Sequence, residues 1–144
     1  MTHLACVRKG ARVLEIGTGT GYQAAVLVRM GAEVFSIERI PELAQTAARR
    51  LARLGYRVMI RCADGSEGWP EFAPFEAIIV TAAAEMVPPE LVQQLSSPGR
   101  LVIPVGPRLG NQSLLLVEKD AQGRVRQRES WAVRFVPLVL GRTD

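Results

Sequence analysis

The segment VLEIGTGTGYQAAV, Val13 to Val26, constrains this chain more than any other. A short apolar run carries one acid, Glu15. It breaks into three alternating glycines, Gly17, Gly19 and Gly21, and passes into a segment of helical character. That succession is the opening of a β–α unit with a ligand loop between its two elements. Glycine lets the backbone turn tightly and lets a ligand come close, because no Cβ stands in the way. The helix that follows offers unpaired N–H groups and a positive dipole end to an anionic group.

The rest of the chain repeats the alternation. Val13 to Ile16 predicts a first strand, Tyr22 to Met30 a helix, and Glu33 to Ile37 a second strand. Pro41 to Leu54 predicts the clearest helix, with Pro41 at a first helical position, Glu42 near the positive dipole end and Gly55 past the C-terminus. Leu43, Ala47, Leu51 and Leu54 are expected to form its apolar face. Strands follow at Arg57 to Cys62 and Ala77 to Val80, then a helix at Pro88 to Leu95 and a strand at Arg100 to Val105. Beyond that the helices stop. Ser113 to Val117, a turn at Ala121 to Gly123 and a β-rich stretch through Trp131 to Leu138 predict antiparallel strands. The expected fold is α/β, Rossmann-like and doubly wound, a mostly parallel sheet with antiparallel C-terminal strands. The 144 residues suit one domain spanning 1–144. Ligands of such a sheet lie outside the carboxyl ends of the strands.

The glycine spacing selects among ligands. Dinucleotide loops run G-x-G-x-x-G. Here the third glycine comes one residue sooner, and Glu15 stands two residues before the first. A carboxylate there would repel a pyrophosphate and suit an ammonium group, directly or through water. S-adenosylmethionine carries an ammonium, a carboxylate for the loop and an adenosine. Glu38, at the end of the second strand, is placed to accept both ribose hydroxyls. Asp64, in Ala63-Asp64-Gly65 after the third strand, is placed to take the adenine amino group or simply to make a turn. S-adenosyl-L-methionine is therefore the expected cofactor, with NAD the runner-up.

The segment after the fourth strand, Val80-Thr81-Ala82-Ala83-Ala84, lacks the Asn/Asp-Pro-Pro-aromatic pattern of base N-methylating enzymes. His3 is the only histidine and lies at the extreme N-terminus. A site with no evident general base suits an acceptor already ionised at neutral pH, and a carboxylate is one. Other partners are not expected. The net charge is +4 and no dense basic run with interleaved aromatics occurs, which speaks against nucleic acid. No apolar run approaches membrane-span length. Cys6 and Cys62 lie far apart, without metal-ligand spacing, and are expected as free thiols in a reducing cytoplasm.

At VLEIGTGTGYQAAVL the chain closely resembles the first motif of bacterial protein-L-isoaspartate O-methyltransferases. FSIERIPELA, ADGSEGWPEFAPFEAIIVTAAAEMVPPEL, GRLVIPVG and VRFVPL carry the resemblance from about Lys9 to Leu138. It implies a class I methyltransferase that esterifies the free α-carboxyl of L-isoaspartyl residues in damaged proteins. Carried over by position, Gly17, Thr18 and Gly19 would hold the methionine end of the cofactor, with Glu15 and Gly21 in the same motif. Glu38 and Arg39 would meet the ribose and adenine side, and Asp64 and Gly65 the adenine. Thr81 and Ala82 would flank the methyl path, and backbone around Val136, Pro137 and Leu138 would help hold an extended substrate peptide, although an ordinary core strand remains open there.

The family's N-terminal helical region, ending in a serine that lies over the cofactor, has no counterpart, so no catalytic residue is assigned. Glu76 stands where the family usually has aspartate. The expectation is a cofactor-binding core with impaired repair activity, as a monomer or homodimer. A binding remnant without chemistry and a small-molecule or RNA methyltransferase stay open as alternatives. The last would be favoured if Arg124, Arg126 and Arg128 formed a patch near the site.

Overall fold

A computed structural model describes residues 1–107, 109–133 and 138. The chain begins with one helical turn, α1 (Thr2–Ala5), and then alternates as the sequence predicts. β1 (Arg12–Ile16), α2 (Tyr22–Arg29), β2 (Glu33–Glu38), α3 (Pro41–Arg53) and β3 (Val58–Cys62) build one half. Two single 3-10 turns, Gly65–Glu67 and Pro70–Phe72, lead to β4 (Phe75–Val80), α4 (Pro89–Gln93) and β5 (Leu95–Val105). β6 (Gln112–Lys119) and β7 (Val125–Val133) complete a seven-stranded sheet in the order β3-β2-β1-β4-β5-β6-β7. β1 to β5 pair in parallel, whereas β5-β6 and β6-β7 are antiparallel. The chain winds outward from β1 to β3 and then crosses to β4 on the other side of β1. The switch point therefore falls between β1 and β4, at the carboxyl end of which the glycine loop begins.

Side-chain alternation along the strands splits the core in two. Leu14, Ile16, Phe35, Ile37, Ile78, Val80, Leu101 and Ile103 face Trp69, Leu91 and Leu95 on one side. There Phe35 meets Phe72 and Phe75 at ring-centroid distances of 4.7 and 5.7 Å. Val13, Val34, Ala77, Ile79 and Val102 face Ala5, Ala24, Leu27 and Leu51 on the other. Glu15 and Ser36 share that second face by strand periodicity, opposite one another in the β1–β2 register.

Three local readings need correction. The buried residues of α3 are Ala44, Ala47 and Leu51, while Leu43 and Leu54 are exposed. Alanines at the contact let this helix lie close to the sheet, which rotates the larger leucines toward its flanks. α4 stops at Gln93, and Leu95 already belongs to β5. Gln94 ends the helix because its side chain is drawn inward. Its Oε1 accepts from the Trp69 amide at 2.8 Å, and its Nε2 donates to the Glu67 carbonyl at 2.9 Å. The last strand starts at Val125, six positions before the β-rich run beginning at Trp131. Its first residues, Val-Arg-Gln-Arg-Glu, lie exposed at the sheet edge, so no apolar alternation marks them in the sequence.

Candidate functional site

The loop between β1 and α2 is held from three sides. Thr81, just past β4, donates its hydroxyl toward the Ile16 and Gly17 carbonyls, each at 3.0 Å. Arg50 of α3 reaches the Thr20 carbonyl at 2.7 Å. Glu38, at the end of β2, accepts from the Gly19 amide at 2.8 Å with Oε1 and from the Ile40 amide at 3.0 Å with Oε2. The carboxylate thus fixes the tip of the loop and the start of the next connection together.

The three glycines have different reasons to be glycine. All have positive φ, +98° at Gly17, +55° at Gly19 and +90° at Gly21. A Cβ on Gly17 would stand 2.3 Å from Thr81 Oγ1, and one on Gly21 would touch Leu51 at 3.4 Å. Gly17 is closed by the protein's own packing, and a Cβ on Gly21 would be in van der Waals contact with it. Gly19 differs, since nothing lies within 4 Å of where its Cβ would be. The bare backbone expected for a ligand is present at Gly19, with Glu38 at its amide. Gly65 is a packing glycine, because a Cβ there would meet Ile16 Cγ2 at 2.2 Å. That close approach brings the turn after β3 against the end of β1.

Beneath the loop lies a chain of polar groups. Glu15 is fully buried, and its Oε1 accepts from the Ser36 hydroxyl at 2.6 Å. Thr18 Oγ1 lies 2.6 Å from Ser36 Oγ. When Glu15 is ionised the Ser36 proton goes to the carboxylate, so Thr18 must donate to Ser36. Glu15 Oε2 is a buried oxygen without a hydrogen-bond partner among the described residues. Burial pushes the Glu15 carboxyl up to about 7, the Ser36 hydrogen bond opposes this, and the nearby Glu38 charge adds to it. A buried acid with one unanswered oxygen, behind a loop with open space above Gly19, fits a ligand carrying a cation.

The other expected residues fall around this centre. Asp64 caps its own 3-10 turn, Oδ1 accepting from the Ser66 amide at 3.0 Å and the Ser66 hydroxyl at 2.8 Å. Arg39 is half-buried where β2 ends, and its carbonyl accepts from Cys62 Sγ at 3.5 Å. Ala82 is half-buried past β4. Its neighbour Ala83 accepts from the Leu138 amide at 2.5 Å, and Ala84 bridges to Val105. Leu138 thus returns to the strand ends beside the loop, while Val136 and Pro137 lie outside the described residues. Sequence reasoning missed Ser36 and Arg50. Ser36 leaves one signal, a hydroxyl in the otherwise apolar Val34-Phe35-Ser36-Ile37, which becomes legible once β1 and β2 are paired in register.

The family model for protein-L-isoaspartate(D-aspartate) O-methyltransferase matches residues 1–143. The chain belongs to this family. Among its relatives, the protein-L-isoaspartate O-methyltransferase of Gloeobacter violaceus is 52% identical over 139 residues, covering 96% of this chain and 67% of the relative. Protein-L-isoaspartate O-methyltransferase 2 of Syntrophobacter fumaroxidans is 54% identical over 142 residues, covering 98% of this chain and 58% of the relative. The chain therefore spans between roughly half and two thirds of the length of the curated relatives it matches, at 67%, 58% and 54% of the first three. A solved protein-L-isoaspartate O-methyltransferase superposes with a TM-score of 0.87 at 35% identity, covering 94% of this chain and 44% of that one. The superposition and the strand order bear out the Rossmann-like, doubly wound fold expected from the sequence.

Proposed function

We propose that this chain forms the cofactor-binding core of a protein-L-isoaspartate O-methyltransferase, which esterifies the α-carboxyl of L-isoaspartyl residues with S-adenosyl-L-methionine. The observation that carries the reading is the Gly19 cradle, open above its backbone and anchored by Glu38, in a chain that belongs to this family over residues 1–143. In this reading Gly17, Thr18 and Gly19 line the methionine end, and Gly21 starts α2 beneath it. Glu38 spends one lone pair of each oxygen on an amide. A carboxylate has about four such sites, so two remain for ribose hydroxyls. Asp64, Gly65 and Arg39 flank the adenosine, and Thr81 and Ala82 the methyl path. Glu15 answers the ammonium from below, through Thr18 and Ser36 or through water.

When bound, S-adenosylmethionine would be held by Gly17, Thr18, Gly19 and Glu38 and would supply an electrophilic methyl for esterification of the acceptor carboxylate. The acceptor is already an anion at neutral pH, so the chain's task is to bind, orient and exclude water. Leu138, against Ala83, supports the idea that the C-terminal run borders the acceptor. The expected partners are isoaspartyl proteins or peptides. Exposed free thiols at Cys6 and Cys62 are consistent with a reducing, cytoplasmic setting. The RNA-methyltransferase alternative gains no support from Arg124 and Arg126, which lie toward the opposite end of the sheet, or from Arg128, which is level with Glu15 by register but stands on β7, four strands away from β1.

The test is transfer of labelled methyl to two peptides that differ only in L-isoaspartate or L-aspartate at one position. Transfer to the isoaspartyl peptide alone is expected. Transfer to neither, with S-adenosylhomocysteine still raising the melting temperature, would overturn the activity and leave a cofactor-binding core.

A further inference from the structure

At the amino-terminal end of the parallel strands, away from the glycine loop, a groove of about 440 Å³ opens between the β5 bulge and the β6–β7 turn. Arg8, Arg100, Lys119, Arg124 and Arg126 line it together with Glu118 and Asp120. In the register, Arg100 stands level with Ala77 and Val13, three residues short of Ile16. At about 3.3 Å per residue the groove is thus on the order of 10 Å or more from the loop.

Both acids are already answered. Glu118 Oε2 lies 3.3 Å from Arg100 Nη2, and its Oε1 lies 3.0 Å from Arg128 Nη2. Asp120 Oδ2 pairs with Arg124 Nε at 3.0 Å, while Oδ1 accepts from the Gln122 and Arg124 amides. These bonds hold Asp120 ionised, below the usual carboxylate range, with the Arg124 amide the leading cause. Arg8 and Arg126, by contrast, have no carboxylate within ion-pair distance among the described residues. Arg126 stands opposite Glu118 in the β6–β7 register, but the Glu118 carboxylate is already shared by two other guanidinium groups, Arg100 and Arg128. Lys119 brings its ammonium to the Val92 and Leu95 carbonyls, at 2.7 and 3.0 Å, which fixes it with one of its three donors unspent.

We infer that this groove is a second binding site, for a small anion carrying two or more phosphate groups. Three of the five cations are fixed before a ligand arrives, Arg100 by Glu118 and the Leu4 carbonyl, Arg124 by Asp120 and Lys119 by the Val92 and Leu95 carbonyls, which leaves Arg8 and Arg126 to close on the ligand. Fixing them in advance lowers the ordering cost of binding. Guanidinium groups present a planar fork that matches phosphate oxygens in pairs. The volume lies within the range of small-molecule sites. The β6–β7 turn completes the wall, with Asp120 Oδ1 closing it on itself.

The probe is sodium tripolyphosphate, titrated calorimetrically at constant ionic strength, with sulfate and a short poly-aspartate peptide alongside. The expected result is saturable binding of one tripolyphosphate, at least tenfold weakened in Arg8→Gln/Arg126→Gln and unchanged in Arg49→Gln/Arg53→Gln on the exposed face of α3. An equal loss in both double variants would reduce the effect to net charge and overturn the site. Tighter binding of poly-aspartate would overturn the phosphate assignment. Hydrogen exchange on the unmodified chain gives a second readout. Tripolyphosphate should slow amides in 97–100 and 119–126 and leave 17–21 unchanged, and the reverse pattern would refute the placement. None of these readouts involves methyl transfer or S-adenosylhomocysteine.

Discussion

Glu15→Gln removes one buried charge and keeps nearly the same shape. Glu15 is fully buried, and its carboxyl is pushed up to about 7 from a model-peptide value of 4.5. In the folded state the proton is held more tightly than in the unfolded state. By linkage, stability then falls as pH rises from 4.5 toward 7 and is constant beyond that window. A shift of about 2.5 units at 1.36 kcal/mol each amounts to roughly 3 kcal/mol of destabilisation at pH 8. The glutamine variant has no such charge to desolvate. Its amide can still accept from Ser36, and whatever its NH2 fails to find costs the same at every pH. The assay is urea unfolding of both proteins across pH 4 to 9, reading the difference at each pH so that the other carboxylates cancel. Relative to its own value at pH 4.5, Glu15→Gln should gain roughly 3 kcal/mol over the unsubstituted chain by pH 8, or about 6–12 °C in melting temperature for a domain of this size. A difference that stays flat through this window would show that Glu15 is not a buried titrating acid, and the account of its role beneath the loop would fail with it.

The glycines separate packing from ligand contact. Gly17→Ala should destabilise the fold by roughly 3 kcal/mol or more, from the positive φ and the Thr81 contact together, as measured by chemical denaturation. Gly19→Ala should cost only about 1–2 kcal/mol of stability, because its Cβ meets open space, yet weaken S-adenosylhomocysteine binding at least tenfold by calorimetry. Gln94→Ala leaves the buried Trp69 amide and Glu67 carbonyl unanswered, and should cost about 2–4 kcal/mol, followed by tryptophan fluorescence during unfolding. Glu38→Ala should lower both stability and cofactor affinity, whereas Glu38→Gln, which keeps one oxygen for the Gly19 amide, should recover most of the stability in the same assays.

How much of this was legible in the sequence depends on where each signal resides. The alternation of strands and helices is written in local periodicity, so β1 to β4 and α2 to α4 could be placed to within about two residues, whereas β5 starts at Leu95, five residues before the expected Arg100. The polar edge strand could not, because an exposed strand has no buried face to impose alternation on Val125 to Glu129. The site divides the same way. Glu15, Glu38 and the glycines announce themselves by spacing, since a loop at a strand end has few ways to hold a ligand. What the spacing could not say is which glycine is packed against the fold and which stands open. That depends on Thr81, Leu51 and Ile16, residues that reach the loop only through the crossing from β3 to β4 and the packing of α3. Ser36 shows why the limit is physical. Its hydroxyl has no local reason to sit in an apolar strand. Only the parallel pairing of β1 with β2 sets it against Glu15 and Thr18 and gives a buried acid a hydrogen bond. A residue that stabilises a charge in another strand is invisible to any reading of its neighbours in sequence. The cost of its removal should therefore appear at the distant group: Ser36→Ala should raise the Glu15 pKa further and extend the upper edge of the pH range over which stability is lost, while its lower edge, set by the unfolded chain, stays in place in the same urea assay.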